Sequence, residues 1–345
     1  MEIWELLSLA HSHQASDLHL SVGSAPALRV HGELVFDGQA LSSADTETMA
    51  RAVMSDEQWR IFAEAGEVDF SFSMAGVSRF RMNVYRQRGC VSLAVRLVPA
   101  TVPKLMDLGL PQALPALTQK SHGLVLVTGP TGSGKSTTLA ALIDHINQTS
   151  RKHIITLEDP IEYLHKHGKS IIDQREVGLD TTAFAPALRA ALRQDPDVIL
   201  IGEMRDLETI STAITAAETG HLVFATLHTA DAVQTVDRII DVFPTGQQVQ
   251  IRVQLAMVLQ GIVSQRLFKS WDDKARVAAF EVLLNTPAVA NLIRNQKVHQ
   301  IRSVMQTGKA HGMQTMEMHL AELSAAGSIS PSAARQWLEL HAGVL

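Results

Sequence analysis

A run of eight residues near the middle of the chain has the residue types and spacing of a phosphate-binding loop. Glycine accepts backbone angles that are closed to other residues, so successive N–H groups can point at one phosphate, and the following helix adds the positive end of its dipole. We expect Lys135 to reach the β- and γ-phosphates of a nucleotide and the Ser136 hydroxyl to ligate Mg2+. The pattern predicts ATP binding by Gly129, Pro130, Thr131, Gly132, Ser133, Gly134, Lys135, Ser136 and the next residue, Thr137.

Another chemically suggestive position is an acidic residue that follows an apolar segment. Glu203 comes directly after residues 198–202, and a carboxylate at such a strand end makes the second Mg2+ contact in P-loop folds, usually through water. We therefore predict that Glu203 is a Mg2+ partner. Asp195 and Asp197 precede the same segment, and we interpret them as turn and cap residues.

Three carboxylates lie within residues 158–162, at the end of another apolar segment. One of them could orient or deprotonate an attacking water, a contribution that is typically worth about 10²–10⁴-fold in rate. We favour Glu162 over Glu158 as this base, and the residues alone leave the choice between the two open.

Two histidines, His221 and His228, bracket a further apolar run. Because they are seven residues apart, side-chain alternation along an unbroken strand would put them on opposite faces, which argues against a shared metal site. Either histidine could donate a hydrogen bond to the γ-phosphate, whereas a lone histidine near a strand end is more often structural.

Several arginines cluster towards the end of the first hundred residues, namely Arg79, Arg81, Arg86, Arg88 and Arg96. Arg79 and Arg81 share one face of a predicted strand, opposite Phe80 and Met82. The cluster forms either a solvated face or a set of cations directed at a phosphate across a domain or subunit boundary, where such arginines raise rates by orders of magnitude.

The elements that would position these residues follow from the hydrophobic pattern. After about Ser121, short apolar runs alternate with helical patterns, which is typical of an α/β domain with a largely parallel sheet covered on both faces. We predict strands at residues 124–128, 154–157, 198–201 and 222–226, and a mostly helical chain after Val242.

The first hundred residues have a different pattern of apolar and polar residues. Their pattern predicts helices at 3–13 and 45–65, short strands at 18–20 and 28–30, and an antiparallel meander within 68–97. Three prolines within residues 99–111 indicate an extended linker, because proline removes amide donors and restricts its predecessor. We therefore predict an α+β domain at residues 1–98, a linker at 99–112 and an ATPase domain at 113–345 with a helical carboxy-terminal part.

Composition restricts the class of protein further. The formal net charge is −5 and the pI about 6.3, whereas domains that grip nucleic acid are usually basic, so we predict no nucleic-acid partner. Cys90 is the only cysteine, which excludes an intramolecular disulfide and a cysteine zinc site within one chain. The first residues lack the basic start and apolar core of a secretory signal, so we expect a cytoplasmic protein.

Four motifs in one order resemble those of the type IV pilus retraction ATPases, the PilT-like twitching-motility branch of the secretion ATPase superfamily. They are residues 129–136, 154–162, 193–206 and the two-histidine segment 220–229, which in that family are called Walker A, Asp box, Walker B and His box. The resemblance runs over nearly the whole chain. The superfamily's assembly ATPases are longer and usually carry a four-cysteine zinc site, which this chain cannot form.

The resemblance implies a PAS-like amino-terminal domain, a RecA-like P-loop core and a homohexamer with ATP bound between the two domains of each subunit. It implies that Glu162 is the catalytic base and Glu203 the Mg2+ partner. It also implies a nucleotide-site role for His221, His228, Arg81 and Arg96.

Residues 288–295 resemble the family's retraction-linked helix, which usually reads Ala-Ile-Arg-Asn-Leu-Ile-Arg-Glu. In this chain Ala290 replaces the first arginine and Asn295 replaces the glutamate. The difference leaves the residues of ATP chemistry unchanged, and it bears on retraction alone.

These features together predict a hexameric ATPase motor that retracts a type IV pilus through domain motion. The expected partners are further copies of the chain, a pilus platform protein of the inner membrane and, as a further option, other pilus ATPases. The expected location is the cytoplasmic face of that membrane. Two alternatives stand beside this reading. One is an accessory subunit that docks on another pilus ATPase, which the altered residues 288–295 suggest, and the other is a nucleic-acid translocase, which the acidic balance disfavours.

Overall fold

The computed structural model describes residues 2–99, 101–272 and 274–341, and the chain divides into two compact units. The first unit consists of Met1–Thr101 together with Glu162–Leu164, and the second of Val102–Ile161 and His165–Leu345. The short segment around Glu162 thus groups with the amino-terminal unit, where the Leu164 amide donates a hydrogen bond to the Pro99 carbonyl. The division into two domains and a linker at 99–112 stays a prediction.

The first unit is built on one antiparallel sheet with the strand order β3-β2-β1-β6-β5-β4. Its elements are α1 (Ile3–Ser12), β1 (Asp17–Leu20), β2 (Ala27–Val30), β3 (Glu33–Phe36), α2 (Ser43–Val53), α3 (Asp56–Ala65), β4 (Glu67–Met74), β5 (Ser78–Gln87) and β6 (Cys90–Val98). The alternating residues of β4, β5 and β6 form the antiparallel meander that the sequence predicts, with Phe80, Met82, Leu93 and Val95 buried on the inner face.

The prediction of a single helix over residues 45–65 is wrong, because the chain forms two helices there, α2 and α3. Met54 is the C-cap of the first helix, and Ser55 is the N-cap of the second. Its hydroxyl accepts a hydrogen bond from the Gln58 amide at 3.2 Å, and the Gln58 side chain accepts one from the Ser55 amide at 2.8 Å. This reciprocal capping box satisfies amides that would otherwise lack partners, so a new helix begins at Asp56.

The second unit alternates strands and helices and then ends in helices. Its elements are α4 (Ala113–Leu117), β7 (Gly123–Thr128), α5 (Lys135–Thr149), β8 (His153–Glu158), β9 (Ile171–Glu176), α6 (Phe184–Ala191), β10 (Val198–Ile201), α7 (Leu207–Glu218), β11 (Leu222–Leu227), α8 (Ala232–Asp241), α9 (Thr245–Val258), β12 (Leu259–Lys269), β13 (Arg276–Leu284), α10 (Pro287–Arg294), α11 (Ile301–Thr307), α12 (Met316–Ala325) and α13 (Pro331–His341). All four predicted strands of this unit are present, as β7, β8, β10 and β11.

These strands lie in a seven-stranded sheet of order β13-β12-β7-β11-β10-β8-β9, in which every neighbouring pair except β12 and β13 is parallel. Leu124 and Leu126 of the interior strand β7 belong to the apolar core on one face, whereas Val125 and Val127 belong to the core on the other. The sheet is therefore buried on both faces, which confirms the predicted α/β class.

The prediction of a mostly helical chain after Val242 is wrong for residues 259–284, where β12 and β13 form one end of the sheet. Strand β12 follows helix α9 without an intervening turn, and Val258 ends the helix where Leu259 begins the strand. Because residues 261–265 are buried on both faces, they show no alternation of apolar and polar residues that would mark a strand in the sequence.

Across the described parts of the chain, no helix combines the length and the apolar character that crossing a bilayer requires.

A core substitution tests the packing of the second unit. Leu188 on α6 is fully buried, so we expect Leu188→Ala to lower the free energy of unfolding by about 2–5 kcal/mol in urea titrations. Leu179 is 55% exposed, and Leu179→Ala should change this quantity by no more than about 0.5 kcal/mol. Equal effects of the two substitutions would contradict the position of α6 against the sheet.

Candidate functional site

The predicted phosphate-binding loop connects the interior strand β7 to helix α5. Gly129, Gly132 and Gly134 have φ angles of 140°, 77° and 87°, which only glycine adopts without strain. Gly134 is the N-cap of α5, whose 15 residues direct the positive end of their dipole at the loop. A glycine-rich loop that leads into a helix N-terminus is an arrangement that favours anions such as phosphate.

Gln265 of the neighbouring strand β12 packs against this loop. A Cβ atom at Gly129 would lie 2.3 Å from the Gln265 carbonyl oxygen, and one at Gly134 would lie 2.8 Å from its Nε2. The Thr138 hydroxyl donates a hydrogen bond to Gln265 Oε1 at 2.8 Å, deep inside the unit. The sequence analysis missed Gln265 because it predicted helix there, and only its place beside β7 shows its role.

Lys135 is almost fully buried at the start of α5. Its Nζ donates hydrogen bonds to the carbonyls of Gly129 at 2.7 Å and Pro130 at 3.1 Å. The ammonium group therefore lies within the turn of the loop, where a bound phosphate would meet it. Ser136 and Thr137 follow in the first turn of α5 and are half-buried.

Two cavities adjoin the loop. The larger measures about 400 Å³, within the range of small-molecule sites, and the smaller about 200 Å³. The larger is lined by residues 130–133, residues 266–269, Arg276 and Trp337, and the smaller by residues at the start of α5 together with Gln265, Leu267 and Arg276. Leu267 and Arg276 border both cavities, which both adjoin the loop.

Glu203 lies beyond the carboxyl end of β10, at the sheet edge that also carries the loop. It receives a hydrogen bond from Arg205 at 2.6 Å, and His228 Nε2 lies 3.1 Å from its Oε1. Burial alone would raise the pKa of Glu203, but the Arg205 hydrogen bond and the His228 charge outweigh burial and hold the pKa below its usual value. The structure thus brings together two predicted site residues and keeps the carboxylate ionised.

The three carboxylates of residues 158–162 are not equivalent. Glu158, at the end of β8, accepts hydrogen bonds from the Thr156 hydroxyl at 2.7 Å and from Gln174 Nε2 at 3.1 Å. Glu162 is exposed and belongs to the short segment that groups with the first unit. The buried carboxylate of Glu176 accepts the Ile161 amide at 2.9 Å and so fixes the chain just before Glu162.

His221 is not brought into this group. It precedes β11, whose six residues span about 20 Å, and so it lies at the opposite edge of the sheet from the phosphate loop. Its Nδ1 lies 2.9 Å from the Ala216 carbonyl at the end of α7. Within one chain, the end of β11 that reaches the phosphate loop therefore carries His228 and not His221, and a nucleotide-site role for His221 stays a prediction.

Asp195 and Asp197 lie at that same distant edge and have the structural roles that we predicted. Asp195 has a positive φ of 54° in the turn before β10. Asp197 accepts a hydrogen bond from the His153 amide at 2.8 Å and so fixes the start of β8. Within residues 2–99, 101–272 and 274–341, no three histidine, cysteine or acidic side chains group as a metal site.

Arg81 and Arg96 belong to the first unit, where they lie directly opposite each other on β5 and β6. Arg96 Nε is 2.9 Å from Asp17, and although burial opposes it, the hydrogen bonds from Arg96 and Ser16 lower the pKa of Asp17. The Arg96 side chain is 66% exposed, so this contact leaves it accessible to solvent. A role for either arginine towards the phosphates stays a prediction.

Helix α10 carries the altered residues of the predicted retraction-linked helix. Ala290 is buried in the core beneath α9, and Asn295 is the C-cap, whose side chain donates to the Asn291 carbonyl at 2.9 Å. Both replacements are therefore accommodated, one by apolar packing and the other by closing the helix end.

Comparisons with known proteins agree with this geometry. The family described as "Type II/IV secretion system protein" matches residues 5–337. The chain is 48% identical over 337 residues to the "Type IV pilus retractation ATPase PilT" of Pseudomonas aeruginosa, covering 97% of this chain and 98% of that protein. It is 50% identical over 312 residues to the "Twitching motility protein" of Neisseria gonorrhoeae, covering 90% of this chain and 83% of that protein.

A solved structure described as "Crystal Structure of the Pilus Retraction Motor PilT and Bound ADP" is also similar to the chain. The two share 51% sequence identity and superpose with a TM-score of 0.89, over 97% of this chain and 96% of that one. At this similarity the two chains share one fold over nearly their whole lengths.

Two glycine substitutions test the support of the loop by β12. Gly129→Ala should lower the melting temperature of the nucleotide-free protein more than Gly132→Ala, because only the former drives a Cβ into a backbone carbonyl, that of Gln265. A Cβ atom at Gly132 would meet no other part of the protein within 4 Å, so Gly132→Ala should cost only the strain of a positive φ, about 1–2 kcal/mol. Thermal unfolding compares the two, and a larger loss for Gly132→Ala would refute the contact.

Proposed function

The chain belongs to the type II/IV secretion system protein family, and we infer that it is an ATPase motor that powers type IV pilus retraction. The observation that carries this inference is the complete phosphate loop in a chain that matches a pilus retraction ATPase at 48% identity over nearly full length. The fold and the nucleotide chemistry follow from the same similarity, since the related solved structure is of a retraction motor with bound ADP.

We propose that ATP binds with its phosphates in the loop and its base in the adjoining cavities. Backbone amides of residues 129–136 and the Lys135 ammonium would hold the phosphates. The Ser136 hydroxyl and Glu203 would hold Mg2+, whose charge would neutralise the phosphate oxygens. The positive φ angles, the helix N-terminus and the ionised state of Glu203 all fit this ligand.

We propose Glu162 rather than Glu158 as the general base. The carboxylate of Glu158 already accepts two side-chain hydrogen bonds at the end of β8, which fits a residue that shapes the site. Glu162 lies on an exposed stretch of chain just after the residue that Glu176 anchors, and it would orient the attacking water.

His228 and the two arginines complete the proposal. His228, held next to Glu203, would donate a hydrogen bond to the γ-phosphate and report its presence. Arg81 and Arg96 would supply positive charge to the transferred phosphate, as arginine fingers do in other nucleotide hydrolases. His221 lies at the other end of β11, so we assign it no role in this proposal.

We further propose that the chain works as a homohexamer at the cytoplasmic face of the inner membrane, on a pilus platform protein. The family membership supports this arrangement. Helix α10 differs from the family pattern, and its Ala290 is packed into the core. Any difference in retraction between this chain and its relatives would arise from this helix.

ATP hydrolysis by purified variants tests the chemistry. Lys135→Ala should abolish turnover, because the loop loses the cation that meets the phosphates. Glu162→Gln should lower kcat by about 10²–10⁴-fold while the ATP dissociation constant stays near the wild-type value. Glu158→Gln is the matched control, and we expect a smaller loss of kcat from it. A larger loss of kcat from Glu158→Gln would identify Glu158 as the base. Full turnover by a folded Lys135→Ala protein would refute the assignment of the nucleotide site to this loop.

Cells that lack their own retraction ATPase test the motor function. Expression of the wild-type chain should restore twitching, which is measured as colony spreading, and Lys135→Ala should not. Spreading that stays absent with the wild-type chain, despite ATP turnover in vitro, would favour the accessory-subunit alternative.

A further inference from the structure

Glu281, in the middle of β13, is a carboxylic acid inside the apolar core. It is only 5% exposed, and burial raises its pKa to about 7. Its Oε1 accepts a hydrogen bond from the Ala232 amide at 2.8 Å. Burying a carboxylic acid costs stability, and the hydrogen bond from the Ala232 amide offsets part of that cost.

The sheet register connects Glu281 to the phosphate loop. Ser264 lies opposite Glu281 on β12 and opposite Thr128 on β7, and the Thr128 hydroxyl donates to the Ser264 hydroxyl at 2.9 Å. Residues opposite one another in a sheet project from the same face. The row Thr128, Ser264 and Glu281 therefore runs across three strands and ends at the residue that precedes Gly129.

Ala232, the partner of Glu281, is the first residue of helix α8. It comes four residues after His228, and the intervening residues connect β11 to the helix. Two local hydrogen bonds hold this connection, one from the Gln234 amide to Asp231 at 2.8 Å and one between the hydroxyls of Thr229 and Thr235 at 2.6 Å. The bond to Glu281 joins the same connection to the sheet.

Charged groups on several elements face Glu281. Asp231 on the α8 cap and Glu317 on α12 raise its pKa further, whereas the Ala232 amide and Arg302 on α11 lower it. Arg302 and Glu317 are themselves paired at 2.9 Å. Burial lowers the pKa of Arg266 on β12, and the nearby carboxylates of Asp231 and Glu281 oppose this effect. Arg266 borders the larger cavity beside the loop.

We propose that Glu281 is a positioning residue for ATP hydrolysis, which ties helix α8, and with it His228, to the strand row that ends at the phosphate loop. This inference rests on the proposed function, because it assigns His228 to the nucleotide site. Glu281 touches no substrate in this account, and it acts only through the connection at residues 228–231.

Steady-state kinetics with ATP test the proposal. Glu281→Met keeps the side-chain length but removes the acceptor, so we expect kcat to fall by about 10- to 100-fold with KM roughly unchanged. Glu281→Gln retains an acceptor oxygen for the Ala232 amide and should keep kcat near the wild-type value. In a His228→Ala background, Glu281→Met should cause no further loss of kcat, because both changes remove one function.

Ala232→Pro breaks the same hydrogen bond from the donor side, and proline is well tolerated at the first position of a helix. It should reproduce the loss of kcat, and the double variant with Glu281→Met should be no worse than either single one. Additive losses, or an unchanged kcat in the folded Glu281→Met protein, would overturn the proposal. Absence of turnover in the wild-type chain would instead overturn the proposed function on which it rests.

Two measurements on the nucleotide-free protein are independent of turnover. Hydrogen–deuterium exchange of residues 228–235 should be faster in Glu281→Met than in the wild type or Glu281→Gln, and equal exchange would contradict the anchoring role. Because folding raises the pKa of Glu281 from 4.5 to about 7, the stability of the wild type relative to Glu281→Gln should fall as pH rises through that interval and level off above it. A flat difference would overturn the buried contact with α8.

Discussion

The register of the parallel strands around β7 determines everything else in the candidate site. Thr128 lies opposite Leu227 on one side and Ser264 on the other, so β7 and β11 end at one level, with β12 alongside. Since parallel strands share their direction, their carboxyl ends meet at one edge of the sheet, where ligands bind in open α/β folds. The phosphate loop, Glu203 and His228 converge there because backbone pairing leaves them no other place.

The sequence alone was sufficient for the parts of the fold that have a local signature. The phosphate loop was predictable because each position has its own chemical requirement, and β7, β8, β10 and β11 because short apolar runs stand between helical patterns. The break before α3 also has a local signature, the capping-box spacing of Ser55 and Gln58, but the prediction missed it because the helical pattern continues on both sides. Strand β12 lacks any such mark, because it is buried on both faces and directly follows a helix.

The candidate site was predictable in its chemistry but only partly in its geometry. Spacing identified two histidines around one strand, yet it could not tell which end of that strand faces the loop, and the structure assigns that end to His228. Gln265 and Glu281 escaped notice because each acts through residues more than 40 positions away in sequence, which only the sheet brings close. Long-range pairing of this kind has no trace in local composition.

The hydrogen bonds of Lys135 to the carbonyls of Gly129 and Pro130 have a consequence for how tightly the loop holds a ligand. The ammonium group is solvated by its own loop, so an incoming phosphate replaces existing partners instead of meeting a bare charge. Hydrogen bonds to charged groups each contribute about 1.5–3 kcal/mol, and this exchange subtracts from the affinity. The same carbonyls accept hydrogen bonds from the ammonium again when the ligand leaves, which stabilises the empty loop relative to the loaded one. In a motor that must empty its site once in every cycle, such a loop favours the empty state more than its charge alone would allow.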